Sequence, residues 1–323
     1  MAAGTTTLLL PERARFGGQR LGAASARWFA RATRRQRAGA CPQRHFTVAG
    51  GGWPVAAATR QLDAGDAAGA TWLRADPVHV RADINGARLL SHGDALLLDD
   101  AEAALFLEAL RPLFSDSGLV LDAPVAGRWY LRLPPGTALP PMTPVDETLG
   151  DDLFENLPAG PEGRRWRALL SEAQVTLHNH PHNTARMAAG LAAVNSLWFW
   201  GGGALPATVA SAHARVLSDD HGLRAMATLA GATAEPLPPG WPGGSDTLVD
   251  LRHARDLAVL ERDWFAPILG RLGQGGNARV AVEFADGPGL DIAPWQRLRV
   301  WRKPLRSFIG DPAAGVAYGA GGE

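Results

Sequence analysis

The chain has 323 residues, enough for one large or two medium domains with a hydrophobic core. Its 32 basic residues balance its 32 acidic residues, so no net field attracts it to nucleic acid or to an anionic membrane. Cys41 is the only cysteine, which excludes an intramolecular disulfide, and neither a membrane span nor a signal peptide is recognisable, so we expect a cytoplasmic protein.

The first predicted elements are a strand over residues 5–10 and a basic segment over residues 13–37. The strand is a short apolar run before Pro11, typical of a central parallel strand. The basic segment has many arginines and almost no acids, and Trp28 and Phe29 interrupt it. This pattern predicts an amphipathic helix with a basic outer face. Such a face is usually solvated, and the alternative is that it captures a protein partner.

Residues 68–135 predict a compact α+β unit inserted into the main body. Alternating residues over 72–81 indicate a half-buried strand, and residues 96–98 a second one. Asp99 is suited to cap a helix that Pro112 would end, and two more strands follow at 119–122 and 128–133. The proline-rich residues 136–144 predict a linker back to the main body.

The second half alternates helices and strands. Helices are predicted over residues 166–177, 222–230 and 254–271, and strands over residues 197–200, 247–250 and 279–284. This alternation favours an α/β fold with a mainly parallel sheet covered by helices on both faces. We assign that sheet to residues 1–67 and 145–310, and residues 311–323 to a flexible tail.

A polar block over residues 178–203 is the strongest candidate for a ligand site. Arginine offers a planar fork to a phosphate or carboxylate, and asparagine adds neutral donors. A glycine run after a strand lets backbone N–H groups approach a bound anion. The predicted ligand-binding residues, with two from the inserted unit, are His180, Asn183, Arg186, Asn195, Gly201, Gly202, Asp76 and His79. The alternative is that these side chains only hold the loop together.

Several segments resemble, in the same order, archaeal-type cofactor-independent phosphoglycerate mutases. They are Ala75-Asp76-Pro77-Val78-His79, Arg128-Trp129-Tyr130, His180-Pro181-x-Asn183-x-x-Arg186-x-x-Gly190, Val194-Asn195-Ser196-Leu197-Trp198-Phe199-Trp200-Gly201 and Gly222-Leu223-Arg224. The likeness is closer still to a group of bacterial proteins called RpfE-type regulatory proteins. It implies an alkaline-phosphatase-like α/β domain with an inserted α+β domain and a phosphorylated glycerate between them. It also implies two divalent metals, such as manganese, magnesium or zinc, that activate a serine.

The expected metal ligands are where the chain departs from this family. The first strand ends in Leu10-Pro11-Glu12-Arg13, where the family has Asp-Gly with a metal-binding aspartate. Residues 250–256 carry acids and a histidine in an altered order between two arginines, whose charge has the wrong sign for a metal site. The remaining metal candidates are His178, His182, His253, Asp256 and Asp286.

These observations favour a phosphoglycerate-mutase-like protein whose metal site has eroded and which binds a small phosphorylated or anionic metabolite. Such a protein would act in binding or regulation. The first alternative is an active metal-dependent, 2,3-bisphosphoglycerate-independent phosphoglycerate mutase or phosphatase with an unrecognised ligand set. The second is a scaffold that uses the basic segment over residues 13–37.

Overall fold

The computed structural model describes residues 4–36, 39–84, 86–274 and 278–309. The predicted flexible tail, residues 311–323, lies outside the described residues. Within the described ranges, none of the helices combines the length and the apolar character that a membrane span needs.

The described elements are fourteen strands and nine α-helical segments, with short 3-10 helices between them. In chain order they are β1 (Thr5–Leu10), α1 (Ala23–Arg31), β2 (Thr33–Gln36), β3 (Phe46–Val48), α2 (Val55–Asp63), β4 (Thr71–Asp83), β5 (Gly86–His92), α3 (Asp100–Asp116), β6 (Val120–Val125), β7 (Arg128–Leu133), α4 (Val145–Thr148), α5 (Gly160–His178), α6 (His182–Ala188), β8 (Ser196–Ala204), β9 (Val209–Ser211), β10 (Arg215–Leu217), α7 (His221–Leu229), β11 (Thr233–Glu235), β12 (Thr247–Asp250), α8 (Leu257–Leu260), α9 (Ala266–Gly273), β13 (Arg279–Phe284) and β14 (Pro288–Ile292). A π-helical turn, Glu261–Phe265, joins α8 to α9.

The chain divides into two compact units. The terminal unit comprises residues 1–47 and 208–323, and the middle unit comprises residues 48–207. The predicted insertion, residues 68–135, covers only part of the middle unit. The difference arises because β8 pairs with β4 along most of its length, so residues far beyond 135 complete the same sheet.

The terminal unit is built on a seven-stranded sheet with the order β11-β10-β12-β1-β13-β14-β2. The strands from β11 to β13 run parallel, and β14 and β2 are antiparallel additions at one edge. The predicted α/β fold with a mainly parallel sheet is therefore confirmed. The strands β1, β12 and β13 have the predicted bounds because apolar runs of this kind suit the centre of a parallel sheet.

The two faces of this sheet differ in chemistry. Leu8, Val282 and Leu290 lie on one face, where α1, α8 and α9 add apolar side chains to form the main hydrophobic core of the unit. The opposite face carries the neighbouring row of cross-strand partners, which consists of Thr7, Ala281, Asp291 and Thr33. One face is therefore apolar, and the part of the other face over β1, β13, β14 and β2 is largely polar.

The middle unit contains an antiparallel sheet in which the long strand β4 pairs with β5, β7 and β8, and β6 pairs with β7. The helices α3 and α5 pack on this sheet and bury Phe106, Phe114 and Trp166 in a second core. Trp129 is fully buried within the same core. The predicted α+β character of this region follows from alternating strands that turn one apolar face towards two helices.

Three predicted elements differ from the structure. The basic segment is not one helix, because a 3-10 turn (Arg13–Phe16), α1 and β2 share it, and β2 joins the edge of the sheet. Residues 93–96 form a 3-10 helix, and the second strand is β5, whose alternation is weak. Pro112 lies inside α3 rather than at its end, since burial of Phe114 keeps the last turn in place.

Asp99 caps α3 as predicted, and the cap offers a direct test of that helix. The Asp99 carboxylate accepts from the Glu102 N–H at 2.8 Å, and the Glu102 side chain accepts from the Asp99 N–H at 3.3 Å. We expect Asp99→Ala to lower the free energy of unfolding by about 1 kcal/mol, measured by urea denaturation. Asp116→Ala, at the exposed end of the same helix, is the control and should cost less. Equal losses in the two variants would contradict the assigned cap.

Candidate functional site

Polar side chains collect at the carboxyl ends of the parallel strands in the terminal unit. Ser218 follows β10, Asp250 ends β12, Arg13 follows β1, and Asp286 follows β13. In open α/β sheets, ligands bind at this edge, where loops leave neighbouring strands side by side. We name these loop residues the carboxyl edge, and the order of the strands brings them together.

Asp250 is the most buried carboxylate of the carboxyl edge, with 1% of its side chain exposed. Arg252 donates from Nε to one carboxylate oxygen at 2.7 Å and from a terminal nitrogen to the other at 2.8 Å. Ser218 donates its hydroxyl to the same carboxylate at 2.9 Å. Burial works to raise the pKa of Asp250, but the bonds and charge of Arg252 outweigh it and hold that pKa below its ordinary value.

The helix α7 begins at this edge with its first N–H groups already used. Asp220 accepts from the backbone N–H of Gly222 at 2.8 Å and of Leu223 at 3.1 Å. Arg224 donates to the Ser218 carbonyl at 2.6 Å and to Nδ1 of His221 at 2.8 Å. A ligand at this edge would therefore meet arginine and histidine side chains rather than a free helix N-terminus.

A second ion pair closes the other side of the carboxyl edge. Arg13 donates from Nε to Asp286 at 2.7 Å, and the Arg13 backbone N–H contacts the same carboxylate at 3.3 Å. Asp286, one of the predicted metal candidates, is therefore bound to an arginine that follows β1. The family resemblance implies an aspartate at the position where this strand ends, and the chain has Pro11 and Glu12 there, followed by Arg13.

Two exposed arginines at this edge lack such partners. Arg15 and Arg255 form no ion pair with an acid in the described part of the chain, although Arg255 donates to the carbonyls of Arg252 and Ala254. Burial and the positive charge of Arg15 lower the pKa of Arg255. Mutual repulsion between two guanidinium groups is relieved when an anion binds between them. This pair places two guanidinium groups at the carboxyl edge.

The residues present do not fit a pair of divalent metals. Across residues 4–36, 39–84, 86–274 and 278–309, no group of three or more histidine, cysteine or acidic side chains could hold a metal ion. His253 is exposed, and Asp256 accepts from the N–H groups of Ala258 and Val259 as the cap of α8. Metal ligands must offer free lone pairs at one point, whereas these carboxylates are occupied by arginines or by a helix end.

The predicted polar block lies in the middle unit, where Asn183 and Arg186 are saturated by internal hydrogen bonds. Asn183 donates to the carbonyls of Leu177 and Val194 and accepts from the Val194 N–H. Arg186, 1% exposed, donates to both oxygens of Glu102 at 2.8 Å. Its other nitrogens donate to the Ala192 and Leu96 carbonyls at 2.9 and 2.5 Å, so each of the three nitrogens is bonded within the middle unit.

Asn195, His79 and Asp76 are also bound within the middle unit. Asn195 bonds both backbone groups of Val80, at 2.8 and 2.7 Å, so its side chain extends the pairing of β4. His79 Nδ1 contacts the Ala193 carbonyl at 2.9 Å. Asp76, 1% exposed, accepts from Arg74 at 2.6 Å and from the Trp200 indole at 2.7 Å. Each of these side chains is therefore bonded within the middle unit.

The three alternating histidines do not share one face of an extended chain. His178 ends α5 and is exposed, whereas His182 begins α6 and contacts Glu102 at 2.9 Å. His180 packs on the Phe106 ring with 4.7 Å between centroids, and burial together with the charge of His182 lowers its pKa. His178 and His182, two of the predicted metal candidates, therefore lie on two different helices that meet within this segment.

The glycine run lies inside β8 and not after it. Gly201 has φ 66°, which a side chain rarely adopts. A Cβ on Gly202 would lie 2.3 Å from Leu139 Cδ1, and one on Gly203 would lie 2.7 Å from Pro54 Cβ. These glycines therefore allow the strand to pack closely against neighbouring chain segments, which is a different reason for glycine than approach to an anion.

Sequence reasoning missed most of the carboxyl edge. Ser218 and Asp220 follow β10, which has only three residues and gives no readable alternation. Arg15, Arg224 and Arg255 stood out little in a chain where Lys303 is the only lysine and arginine is abundant. The available signal was the position of polar residues directly after short apolar strands.

Comparison with known proteins gives partial matches, and no family model matches the chain. A segment of 125 residues, 39% of the chain, is 27% identical to a probable 2,3-bisphosphoglycerate-independent phosphoglycerate mutase from Geobacter sulfurreducens and covers 31% of it. A segment of 64 residues, 20% of the chain, is 36% identical to a 2,3-bisphosphoglycerate-independent phosphoglycerate mutase from Methanosarcina barkeri and covers 16% of it. Part of this chain is homologous to these mutases.

The matched segments span less than a third of the curated relatives. Among solved structures, the cofactor-independent phosphoglycerate mutase from Thermoplasma acidophilum aligns with 90% of this chain and 90% of its own. The TM-score is 0.40 and the sequence identity is 18%. The shared segments support the resemblance noted from the sequence, and the chemistry of this chain has to be argued from its own residues.

Proposed function

We propose that this protein binds a small phosphorylated or otherwise anionic metabolite at the carboxyl edge of the terminal unit. In this proposal the protein is phosphoglycerate-mutase-like but its metal site has eroded, and it acts in binding or regulation, as the resemblance to RpfE-type regulatory proteins suggests. The observation that carries the proposal is the pairing of buried Asp250 with Arg252. At this position the guanidinium group of Arg252 supplies the positive charge that a metal ion would otherwise provide.

The distribution of charge supports an anionic ligand. Asp250 and Asp286 are each neutralised by an arginine, whereas Arg15 and Arg255 have no acid paired with them among the described residues. Arg15 and Arg255 are therefore the guanidinium groups of this edge that remain for an anionic ligand. A phosphate accepts several hydrogen bonds at once and suits the planar donors of arginine better than a neutral metabolite does.

The proposal predicts that exposed arginines of this edge determine affinity. We expect 2- or 3-phosphoglycerate to bind in isothermal titration, and Arg255→Ala or Arg15→Ala to weaken binding about tenfold, which corresponds to about 1.4 kcal/mol. Arg164→Ala, which removes an exposed arginine from α5 in the middle unit, is the matched control. Absence of binding by the intact protein to either ligand would refute the proposal.

Metal analysis separates this proposal from an active enzyme. We expect the purified protein to hold no stoichiometric manganese, magnesium or zinc and to show no turnover of phosphoglycerate when manganese is added. Two bound metals together with turnover would instead establish a metal-dependent mutase or phosphatase, the function that the names of the homologous proteins suggest.

The scaffold hypothesis has less support from the structure. Phe16 and Phe29, which lie in the basic segment, are each 1% exposed and belong to the main core of the terminal unit. The segment is therefore part of the fold of that unit. Its exposed arginines could still contact a protein partner.

A further inference from the structure

A cavity of about 470 Å³ opens on the polar face of the seven-stranded sheet. Thr5 and Thr7 of β1, Arg279 and Glu283 of β13, and the imidazoles of His45 and His213 are among the residues that line it. All of its lining residues belong to the terminal unit, and none is a carboxyl-edge residue assigned above. The cavity has the size of a small-metabolite site.

Three of these side chains form a continuous hydrogen-bonded chain. Glu283, with 3% of its side chain exposed, lies 3.3 Å from Nε2 of His45. Nδ1 of His45 lies 3.1 Å from Nε2 of His213. The backbone fixes the pair as well, because the Ser211 hydroxyl donates to the His45 carbonyl at 2.9 Å and accepts from the His213 N–H at 3.2 Å.

The buried Glu283 carboxylate determines which nitrogen donates in each of these hydrogen bonds. An ionised carboxylate only accepts, so Nε2 of His45 must carry the proton that it donates to Glu283. Nδ1 of a neutral His45 is then an acceptor, and Nε2 of His213 must donate to it. Nδ1 of His213 is left as an acceptor, and within the described ranges no side chain or backbone group bonds it.

This arrangement is a hydrogen-bond relay and not a metal site. The contacts of His45 to Glu283 and to His213 use opposite nitrogens of one ring, so the three groups do not point at one position. Burial is the largest cause that lowers the pKa of His213 to about 4, and a proton on His45 would act in the same direction. His213 is therefore a neutral acceptor at physiological pH.

The rim of the cavity holds a cation. Arg279 is exposed, and its side chain has no acidic partner in the part of the chain that the structure describes. Arg35, by contrast, is paired with Asp291 on the same face. A ligand that enters this cavity therefore meets the guanidinium group of Arg279 and an imidazole nitrogen of His213 that can accept a hydrogen bond.

We propose that this cavity is a second binding site, for a small hydroxy acid whose carboxylate or phosphate contacts Arg279 and whose hydroxyl donates to Nδ1 of His213. Both features contribute, because the hydroxyl adds a hydrogen bond to His213 and the acid group adds a counter-charge to Arg279. The site is independent of the carboxyl edge and of any ligand bound there.

The test compares lactate with propionate, which has the same carboxylate but no hydroxyl. The probe is the ring Cε1–H signal of His213 in a proton–carbon NMR spectrum, identified by its loss in His213→Gln or His213→Asn. We expect lactate to shift this signal saturably and propionate to bind about tenfold more weakly, as expected for one lost hydrogen bond of about 1.4 kcal/mol. Glycerol 3-phosphate distinguishes a phosphate from a carboxylate as the preferred anion.

Substitutions complete the test. Arg279→Ala changes an exposed side chain and should weaken lactate binding about tenfold, whereas Arg255→Ala and Arg164→Ala should leave it unchanged. The proposal is overturned if lactate gives no saturable shift, if propionate binds as tightly as lactate, or if Arg279→Ala has no effect. Because Arg255→Ala affects only the carboxyl edge, failure of one site is distinguishable from failure of the other.

Discussion

Replacement of Arg186 by alanine is expected to lower the free energy of unfolding by about 3–5 kcal/mol. The variant would leave the Glu102 carboxylate, 16% exposed, with only His182 and backbone donors. It would also remove the donors that reach the carbonyls of Leu96 and Ala192. Uncompensated buried polar groups cost far more than the loss of an exposed ion pair.

Urea denaturation followed by circular dichroism measures this loss, with Arg164→Ala of α5 as the matched control. We expect the control to change the free energy of unfolding by less than about 0.5 kcal/mol, as exposed substitutions usually do. The sequence alone suggested a ligand contact for Arg186. A small loss of stability together with weaker phosphoglycerate binding would restore that role and contradict the structural one.

Replacement of Arg252 by alanine is the second change with a large expected effect. Asp250 would keep the Ser218 hydroxyl as its main hydrogen-bond donor while remaining almost completely buried. We expect a loss of about 3–5 kcal/mol at pH 7, because breaking a buried pair by removing one partner strands the other charge. Asp250→Ala added to Arg252→Ala should recover part of that loss, since the stranded charge is then absent.

The contribution of Asp250 to stability should depend on pH with opposite signs in the natural protein and in Arg252→Ala. In the natural protein the pKa of Asp250 lies below its ordinary value of 3.8, so its contribution is present above pH 3.8 and is lost as pH falls through the lower folded value. Without Arg252, burial dominates and raises that pKa. The stability of the variant relative to the natural protein should then decline as pH rises from about 4 to about 7.

Urea titrations at several pH values, with the double variant as reference, measure this reversal. We expect the gap between Arg252→Ala and the double variant to be largest at neutral pH and to close in acid. A difference in the free energy of unfolding that does not depend on pH would show that Asp250 is not the unpaired charge. It would contradict the assigned pairing of Asp250 with Arg252.

The fold was predictable where short-range patterns are strong. The central strands β1, β12 and β13 and the capped helix α3 follow from apolar runs and from Asp99. The short strands β9, β10 and β11, with three residues each, and the edge strand β2, which is rich in arginine, gave no usable pattern. Strands of this kind exist because neighbouring strands supply their hydrogen bonds, which local sequence does not encode.

The candidate site was predicted only in part. Asp286, Asp256 and His253 were named as metal candidates, and the structure places them at the carboxyl edge as an arginine partner, a helix cap and an exposed side chain. Asn183 and Arg186 have the residue types of an anion site, but their donors are used by backbone carbonyls and by Glu102. Residue type shows what a side chain can bond, whereas the bond it makes depends on its neighbours.

The sequence by itself determined the mainly parallel α/β fold, the cap of α3 and the absence of an aspartate at the end of β1, since each depends on residues that are close together in the chain. Tertiary structure alone decided that Ser218 binds Asp250, and that His45 connects Glu283 to His213. These contacts join residues separated by up to 238 positions. Such distant groups meet only when parallel strands place their ends and faces side by side, so no local pattern predicts them.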